Sequence, residues 1–351
     1  MCYMNFSKNI INWYKTNKRD LPWRGSKNPY IIWLSEIILQ QTRVNQGTPY
    51  FLKFIEKFKT IQDFANVNEE EILKTWEGLG YYSRARNMHF TAKYITNELS
   101  GNFPTNYKDL LKLKGIGTYT AAAIASICYE EKVAVADGNV FRVLSRYFGI
   151  DIDISLEKNK KHFQNIAQNL IGNYKPSEFN QALMEFGALQ CKPKNPLCLN
   201  CVLNNNCVAF SLNKVDNFPV NLKKTKVKER YFYYFIIKDL NGKYFINKRK
   251  DKDIWQNLNE FYLIETAKNV SDKNIIIKFS SEFAHNSFIK NINVLHTKKI
   301  THKLTHQKLN ISFFEVNLTK TFNEYISDFE IKNFAFPIVI QKFISKNYQL
   351  F

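Results

Sequence analysis

Two acidic residues carry the most chemical promise. Glu36 lies in WLSEIILQQT, residues 33–42, among Ile31, Ile32, Trp33, Leu34, Ile37, Ile38 and Leu39. At helical spacing Ile32, Leu39 and Gln40 share its side, so its carboxyl faces an apolar layer unless the helix turns it into water. A lone ionised carboxylate is expensive to bury. The pKa of Glu36 is therefore expected to be raised, which suits a general acid. Asp137, in VADGNVFRVLSR (135–146), stands just before a helix with Val140, Val143 and Leu144 on its apolar side. Taken alone it is an ordinary N-cap. Its place, twenty residues past Gly117 and next but one to Asn139, makes it a candidate for chemistry.

Two further motifs bind rather than react. In LLKLKGIGTYTAAAIASI (110–127) a helix is expected to run into Gly115-Ile116-Gly117 and a second to start at once. Glycines let such a turn expose backbone N–H groups, and the following helix N-terminus adds partial positive charge, which together suit a DNA phosphate. The pattern resembles a helix-hairpin-helix DNA-binding motif, whose carbonyls often hold a monovalent cation. The other motif is Cys191-x6-Cys198-x2-Cys201-x5-Cys207. Four thiolates so spaced can close around a [4Fe–4S] cube or a tetrahedral zinc ion, and the spacing leaves both open. In a reducing compartment such a cluster reads as metal ligation rather than disulfides. The other two cysteines, Cys2 and Cys128, read as a surface thiol and a core residue.

Helices must position these groups. Apolar residues recur at helical spacing in 31–44, 51–58, 69–76, 84–98, 118–128, 139–148, 160–171 and 177–189. Asn68 before three glutamates, Ser155 before Glu157, and Pro176-Ser177-Glu178 mark helix starts. Residues 216–230, DNFPVNLKKTKVKER, are polar, basic and without a stripe, which reads as a linker. After residue 231 the texture becomes β-rich: YFYYFIIKDLNGKYFINKR predicts a hairpin about Asn241-Gly242, and KLNISFFEVNL (308–318) another strand.

The 351 residues, 45% of them apolar, suffice for two cores. Fifty Lys and Arg against 31 Asp and Glu give a net charge of +19, which favours a polyanionic partner, although part of the lysine is plain solvated surface. The N-terminus has no uninterrupted apolar h-region and no apolar run approaches spanning length. A cytosolic, soluble protein is expected.

Together, WLSEIILQQT, LGYYSRARN (79–87), GIGTYTA, VADGNVFRVL, FNQALMEFGALQC (179–191) and the four-cysteine spacing resemble the MutY branch of the endonuclease III superfamily. They occur in that family's order and span most of residues 20–210. The resemblance implies a mostly α helix-hairpin-helix glycosylase region with a [4Fe–4S] loop over 1–215, a linker over 216–230, and an α+β Nudix-like domain over 231–351. It settles the cluster as [4Fe–4S] on Cys191, Cys198, Cys201 and Cys207. The implied substrate is duplex DNA with adenine opposite 8-oxoguanine or guanine. Glu36 would protonate the adenine, Asp137 would stabilise the sugar cation, and Tyr119 and Asn139 would position Asp137. DNA contacts are implied at Gln40, Gln41, Tyr81, Tyr82, Arg84, Gly115, Gly117, Thr305 and His306.

Tyr119 stands where bifunctional relatives carry a Schiff-base lysine, so strand cleavage is expected to be weak or absent. Lys114 stands where the family usually has proline and is expected to touch phosphate. Leu304-Thr305-His306 replaces the family's Phe-Ser-His loop, keeping a hydroxyl and losing the ring. The segment KRKDKDIWQNLNEFYLIE (248–265) lacks the acidic Nudix box, so no pyrophosphohydrolase activity is expected. A monomer in the bacterial cytoplasm, at the nucleoid and with no membrane partner, completes the expectation. The rival readings are a bifunctional pyrimidine-lesion glycosylase/lyase, a zinc-held DNA-binding module without catalysis, and a nucleotide-pool hydrolase.

Overall fold

The computed structural model describes residues 2–223, 226–295 and 300–348, with side chains from residue 5 onward. Contacts divide the chain into two compact units, Met1–Val67 with Asn87–Lys223 and Asn68–Arg86 with Lys224–Phe351. In chain order the helices up to the linker are α1 (Cys2–Asn17), α2 (Pro29–Leu39), α3 (Val44–Lys57), α4 (Ile61–Asn66), α5 (Glu69–Thr75), α6 (Ser83–Glu98), α7 (Tyr107–Leu110), α8 (Thr118–Tyr129), α9 (Gly138–Phe148), α10 (Glu157–Ile171), α11 (Pro176–Leu189) and α12 (Val208–Ser211).

Local chemistry sets several of these boundaries. Pro29 pre-forms the first turn of α2, and the Asn28 side chain accepts from the Tyr30 N–H at 2.9 Å. Asn68 caps α5 by accepting from the Glu71 N–H at 2.8 Å. The start expected from Ser155 is displaced. The cap of α10 is Leu156, and Ser155 instead bonds both oxygens of Asp153 through its N–H (2.9 Å) and hydroxyl (2.7 Å), a local turn that competes with capping. The helix expected to reach Gly115 shrinks to the single turn α7, after which residues 111–115 form tight turns.

In the first unit α2 and α8 are apolar almost all round and sit buried in the centre. The N-terminal helix α1, which no motif announces, lays Phe6, Ile10, Ile11, Trp13 and Tyr14 into a core with Val140, Leu144, Phe163, Phe179 and Phe186 from α9, α10 and α11. No helix among the described residues is long and apolar enough to cross a membrane.

The second unit adds the strands β1 (Lys228–Lys238), β2 (Asn247–Lys248), β3 (Asn259–Glu260), β4 (Tyr262–Thr266), β5 (Ile289–Val294), β6 (Ile300–Lys303) and β7 (Gln307–Leu318), and the helices α13 (Asp272–Glu282), α14 (Asp328–Ile331) and α15 (Ile338–Tyr348). The main sheet runs β4-β1-β7-β5, with β6 also paired to β7. β1 and β7 are parallel over their whole length, from Lys228↔Gln307 to Lys238↔Asn317. Tyr233 and Phe235 point to one face, where Ile275 and Phe279 of α13 close the core. On the other face Phe313 stacks on Phe343 of α15 at 3.8 Å.

The hairpin about Asn241-Gly242 is only partly formed. The turn exists, with Gly242 at φ 77° and Asp239 accepting from the N–H groups of Asn241 and Lys243 at 2.9 Å each. The second run pairs with β1 only at the Lys238↔Tyr244 bridge. Its place beside β1 is taken by β4, antiparallel, and by β7. Pairing buries β1 on both edges and both faces, which a two-stranded ribbon cannot do.

Candidate active site

Three elements of the first unit converge on a polar centre. α2 presents Glu36, only 9% exposed although its neighbours Ser35, Ile37 and Ile38 are fully or nearly fully covered. α8 begins at Gly117, whose extended backbone (φ −91°, ψ −178°) turns the chain so that Tyr119 faces α2. The Tyr119 hydroxyl donates to Glu36 Oε2 at 2.5 Å and lies 3.5 Å from Met184 Sδ of α11. α9 begins at Asp137, which caps it by accepting from the Val140 N–H at 2.8 Å. The other oxygen of Asp137 accepts from Asn139 Nδ2, also at 2.8 Å.

The electrostatics separate the two carboxyls. Burial lifts Glu36 to about 7; the Tyr119 hydroxyl and Arg24 pull it down, and the charge of Asp137 pushes it up. Burial also raises Asp137, but Val140, Asn139 and Arg142 all favour its charged form. The two carboxyls thus sit in unequal surroundings, a hydroxyl on Glu36 and amide and backbone N–H groups on Asp137, and paired carboxyls in different environments are what acid-assisted glycosidic cleavage uses. Burial and the two carboxylates push the Tyr119 phenol far above its ordinary value, so it acts as a neutral donor.

Several residues around this centre are invisible to sequence reasoning. Glu185 is buried and accepts from Arg19 Nε and Nη2 at 2.8 Å each and from Arg24 Nη2 at 3.0 Å. Burial alone would raise this carboxyl; the two guanidiniums outweigh it and hold it low. Arg142, on α9, donates to Asn139 Oδ1 and the Gly187 carbonyl at 2.7 Å each and to the Cys191 carbonyl at 2.8 Å. The extended chain leading to Asp137 is held by side-chain amides: Asn180 bonds Val133 and Val135, and Gln168 bonds Lys132 and Ala134. Glu185 and Arg142 lie inside FNQALMEFGALQC and VADGNVFRVL, but nothing in their spacing marks partners so distant in the chain.

The expected contact residues divide into exposed and covered. Gln40 is half-buried and its amide donates to the Thr120 hydroxyl at 3.2 Å, whereas Gln41 is exposed and left-handed at φ 57°. Gly115 and Gly117 are exposed. Gly115, at φ 81°, leaves no room for a Cβ, which would lie 2.7 Å from that of Asn87. The Lys114 ammonium rests over the Phe90 ring at 4.2 Å.

In the second unit Tyr81 is 48% exposed at φ 48°, and its hydroxyl hydrogen-bonds that of Thr305. Tyr82 is a correction: it is 6% exposed and its hydroxyl accepts from the Gly78 N–H at 3.2 Å, so it packs inside and offers no ring to a ligand. Arg84 is half-buried, with its guanidinium over the rings of Trp76 (5.0 Å) and Tyr81 (5.7 Å). Burial drops its pKa to about 10, and it remains a cation at neutral pH. Thr305 and His306 are exposed at the tip between β6 and β7.

Cys191, Cys198, Cys201 and Cys207 line one small cavity with Arg146 and Phe210. Arg146 Nη1 lies 3.4 Å from Cys191 Sγ, and the Cys207 thiol is 3.4 Å from the Arg146 carbonyl. Burial pushes the Cys201 thiol up to about 12, so a cation must replace its proton for it to serve as a thiolate. Among the described residues no three His, Cys, Asp or Glu side chains close on a single metal ion. A soft, all-thiol donor set of this kind fits an iron–sulfur cluster.

The family model for HhH-GPD superfamily base excision DNA repair proteins matches residues 34–170, and that for the NUDIX domain matches residues 233–346. An adenine DNA glycosylase of Buchnera aphidicola subsp. Schizaphis graminum is 37% identical over 317 residues, which cover 90% of this chain and 88% of its own. The adenine DNA glycosylase of Mus musculus is 40% identical over 214 residues, 58% of this chain and 42% of its own. Among solved structures, a thermostable thymine-DNA glycosylase is similar at a TM-score of 0.55 and 32% identity, over 60% of this chain and 97% of that one. Similarity that spans the helical unit, the cysteine loop and the Nudix-like domain alike places the chain in the MutY-type adenine DNA glycosylase family of helix-hairpin-helix DNA N-glycosylases.

Proposed function

We propose that the chain is a monofunctional adenine DNA glycosylase acting on adenine opposite 8-oxoguanine, or opposite guanine, in duplex DNA. The observation that carries this reading is the Tyr119–Glu36 pair: a buried carboxyl, bonded at 2.5 Å and lifted to about 7, stays substantially protonated at neutral pH. The adenine leaves the stack at a cost of roughly a few kcal/mol. Glu36 transfers its proton to N7 of the base, and the electron pair of the N-glycosidic bond departs with adenine. The sugar becomes cationic. Asp137, held by Val140 and Asn139, stabilises that charge, and water adds at the sugar to give an abasic site.

Tyr119 stands where a lyase needs an amine. A phenol cannot form an iminium with the sugar, so no β-elimination follows. The Gly115–Gly117 turn and the start of α8, which has no side-chain cap, suit a DNA phosphate, with a monovalent cation on the hairpin carbonyls. Gln40 and Gln41 would fill the vacated stack, and Tyr81, Arg84, Thr305 and His306 would meet the opposite base and its strand. The four cysteines would hold a [4Fe–4S] cluster that braces the loop at 191–207. In this reading the helical region 1–215 supplies the residues that act on the adenine, the Nudix-like domain 231–351 acts on its partner base together with Tyr81 and Arg84, and the protein works as a monomer in the bacterial cytoplasm, at the nucleoid.

Single-turnover cleavage of duplexes carrying adenine opposite 8-oxoguanine, guanine or thymine tests the proposal. Strand breaks should form only after alkali, only at adenine, and fastest opposite 8-oxoguanine. Breaks without alkali, or a borohydride-trapped covalent adduct, would overturn the monofunctional reading. Absorbance near roughly 400 nm in the purified protein tests the cluster separately.

A further inference from the structure

Between Trp76 and Tyr81 the chain reads Glu77-Gly78-Leu79-Gly80, with both glycines at positive φ (96° and 76°). Such a turn has many conformations available in isolation, so outside contacts must select one. Several contacts are local: Trp76 Nε1 and Arg84 Nη2 donate to the Gly80 carbonyl at 3.0 and 3.2 Å, the Leu79 N–H donates to the Trp76 carbonyl at 3.1 Å, and the Gly78 N–H donates to the Tyr82 hydroxyl at 3.2 Å. Another set reaches across the unit. The Glu77 carboxylate, its side chain 9% exposed, accepts from the Phe336 N–H at 3.0 Å and from Gln341 Nε2 at 2.7 Å, and pairs with Lys74 at 2.9 Å. Lys74 also donates to the Phe334 carbonyl at 3.0 Å. A covered carboxylate with this many donors is costly to disturb. Just past the turn, Arg86 Nη1 donates to the Gln256 carbonyl at 2.7 Å. What emerges from this clamp is Tyr81, exposed and bonded to Thr305.

We propose that Glu77 is a positioning residue for recognition of the base opposite adenine: by pinning the glycine turn to Phe336 and Gln341 it fixes the Tyr81 ring beside Thr305. The inference rests on the reading above, in which Tyr81 and Thr305 meet that base. A mislaid turn moves the ring while leaving Glu36 and Asp137 in place. Discrimination between partner bases should therefore suffer more than excision itself.

The test is the ratio of single-turnover rates for adenine opposite 8-oxoguanine and opposite guanine, measured on the full-length protein. A merely structural role lowers the active fraction, which cancels in that ratio. Glu77→Gln keeps the shape but leaves one oxygen where two were used, so its amide N–H must face either the Phe336 N–H or the Lys74 ammonium, neither of which can accept. Gln341→Glu sets two carboxylates together. Each should lower the ratio about tenfold, the scale of one charge-assisted hydrogen bond. The double exchange again places a donor opposite an acceptor and should return the ratio to within about threefold of the parent. Unchanged ratios in both single variants, or a double variant no better than the worse single, would overturn the proposal. If Glu77→Gln yields no folded protein, Gln341→Met, which deletes only the 2.7 Å bond, carries the same comparison. Tyr81→Ala and Thr305→Ala separate the two layers. If they lower the ratio and the Glu77 variants do not, the pin fails and the reading stands; if they leave it unchanged, the reading of Tyr81 and Thr305 fails first.

Discussion

In the proposed mechanism the chemistry turns on Glu36, and its environment makes two predictions. Its native pKa of about 7 lies above the 4.5 of a free glutamate, so between those limits the folded protein binds more protons than the unfolded chain. Unfolding free energy from this group therefore falls as pH rises from 4.5 to about 7 and is flat above. Glu36→Gln removes that penalty and should raise stability at pH 8 by up to about 3 kcal/mol in denaturant titrations, while single-turnover excision is lost and DNA binding is kept. A destabilised Gln variant would show that the carboxylate gains more from Tyr119 than burial costs it. The second prediction concerns rate. With Glu36 as proton donor, the single-turnover rate should decline about tenfold per unit above a midpoint near 7. A rate that instead rises through that range would exclude Glu36 as the acid. The burial of this carboxyl is legible in the sequence because the helix that carries it is apolar on nearly every side. Glu185 and Arg142 are not. Each earns its place through partners 45 or more residues away, Gly187 and Cys191 for Arg142 and Arg19 for Glu185, and no local spacing encodes those.

At the scale of elements the site depends on how closely α9 and α11 approach. Gly187 of α11 packs against the first turn of α9, where a Cβ would lie 2.7 Å from Asn139 Cβ and 3.0 Å from the Asn139 carbonyl oxygen. Backbone on the far side cannot swing away as a flexible side-chain tip can. Gly187→Ala should force the helices apart, cost about 1–3 kcal/mol, and move Asn139 off Asp137. Excision should fall by roughly tenfold or more while affinity for uncleaved duplex changes little. Equal losses in rate and affinity would place the damage in DNA binding instead. Helices α8 and α9 are readable because an apolar period meets a glycine turn or a capping acid at its start. α1 is hard to read because its stripe, Phe6, Ile10, Trp13 and Tyr14, sits at the very start of the chain, with no cap or motif to mark it. The hairpin about Gly242 is overextended for the opposite reason. Turn chemistry specifies the reversal but not the partner, and β1 gains more by pairing with β7 some eighty residues later than with the chain that follows it.

At the scale of the whole molecule, the net charge of +19 should make binding to any duplex strongly salt-dependent, with log affinity falling linearly in log salt. Allegiance of segments to units is less visible from composition. The basic stretch around 216–230 reads as a divider, yet residues 68–86, far upstream, belong to the compact unit built from Lys224–Phe351. Nothing in the period of α5 announces this. The contacts are single hydrogen bonds across more than 150 residues of chain, among them Asn257 to Glu69 (2.6 Å), Asn259 to Glu70 (2.7 Å) and Gln341 to Glu77 (2.7 Å). A chain ended after Lys223 would therefore lose more than the residues removed. It would leave Glu69, Glu70 and Glu77 without these partners, and the turn carrying Tyr81 without its clamp. Amide hydrogen exchange is the measurement to make on such a truncation. Residues 69–86 should exchange faster by an order of magnitude or more, while α8, buried inside the first unit, should keep its protection. If 69–86 stayed as protected as in the full chain, that segment would owe its structure to the first unit, and the pin at Glu77 would have nothing to hold.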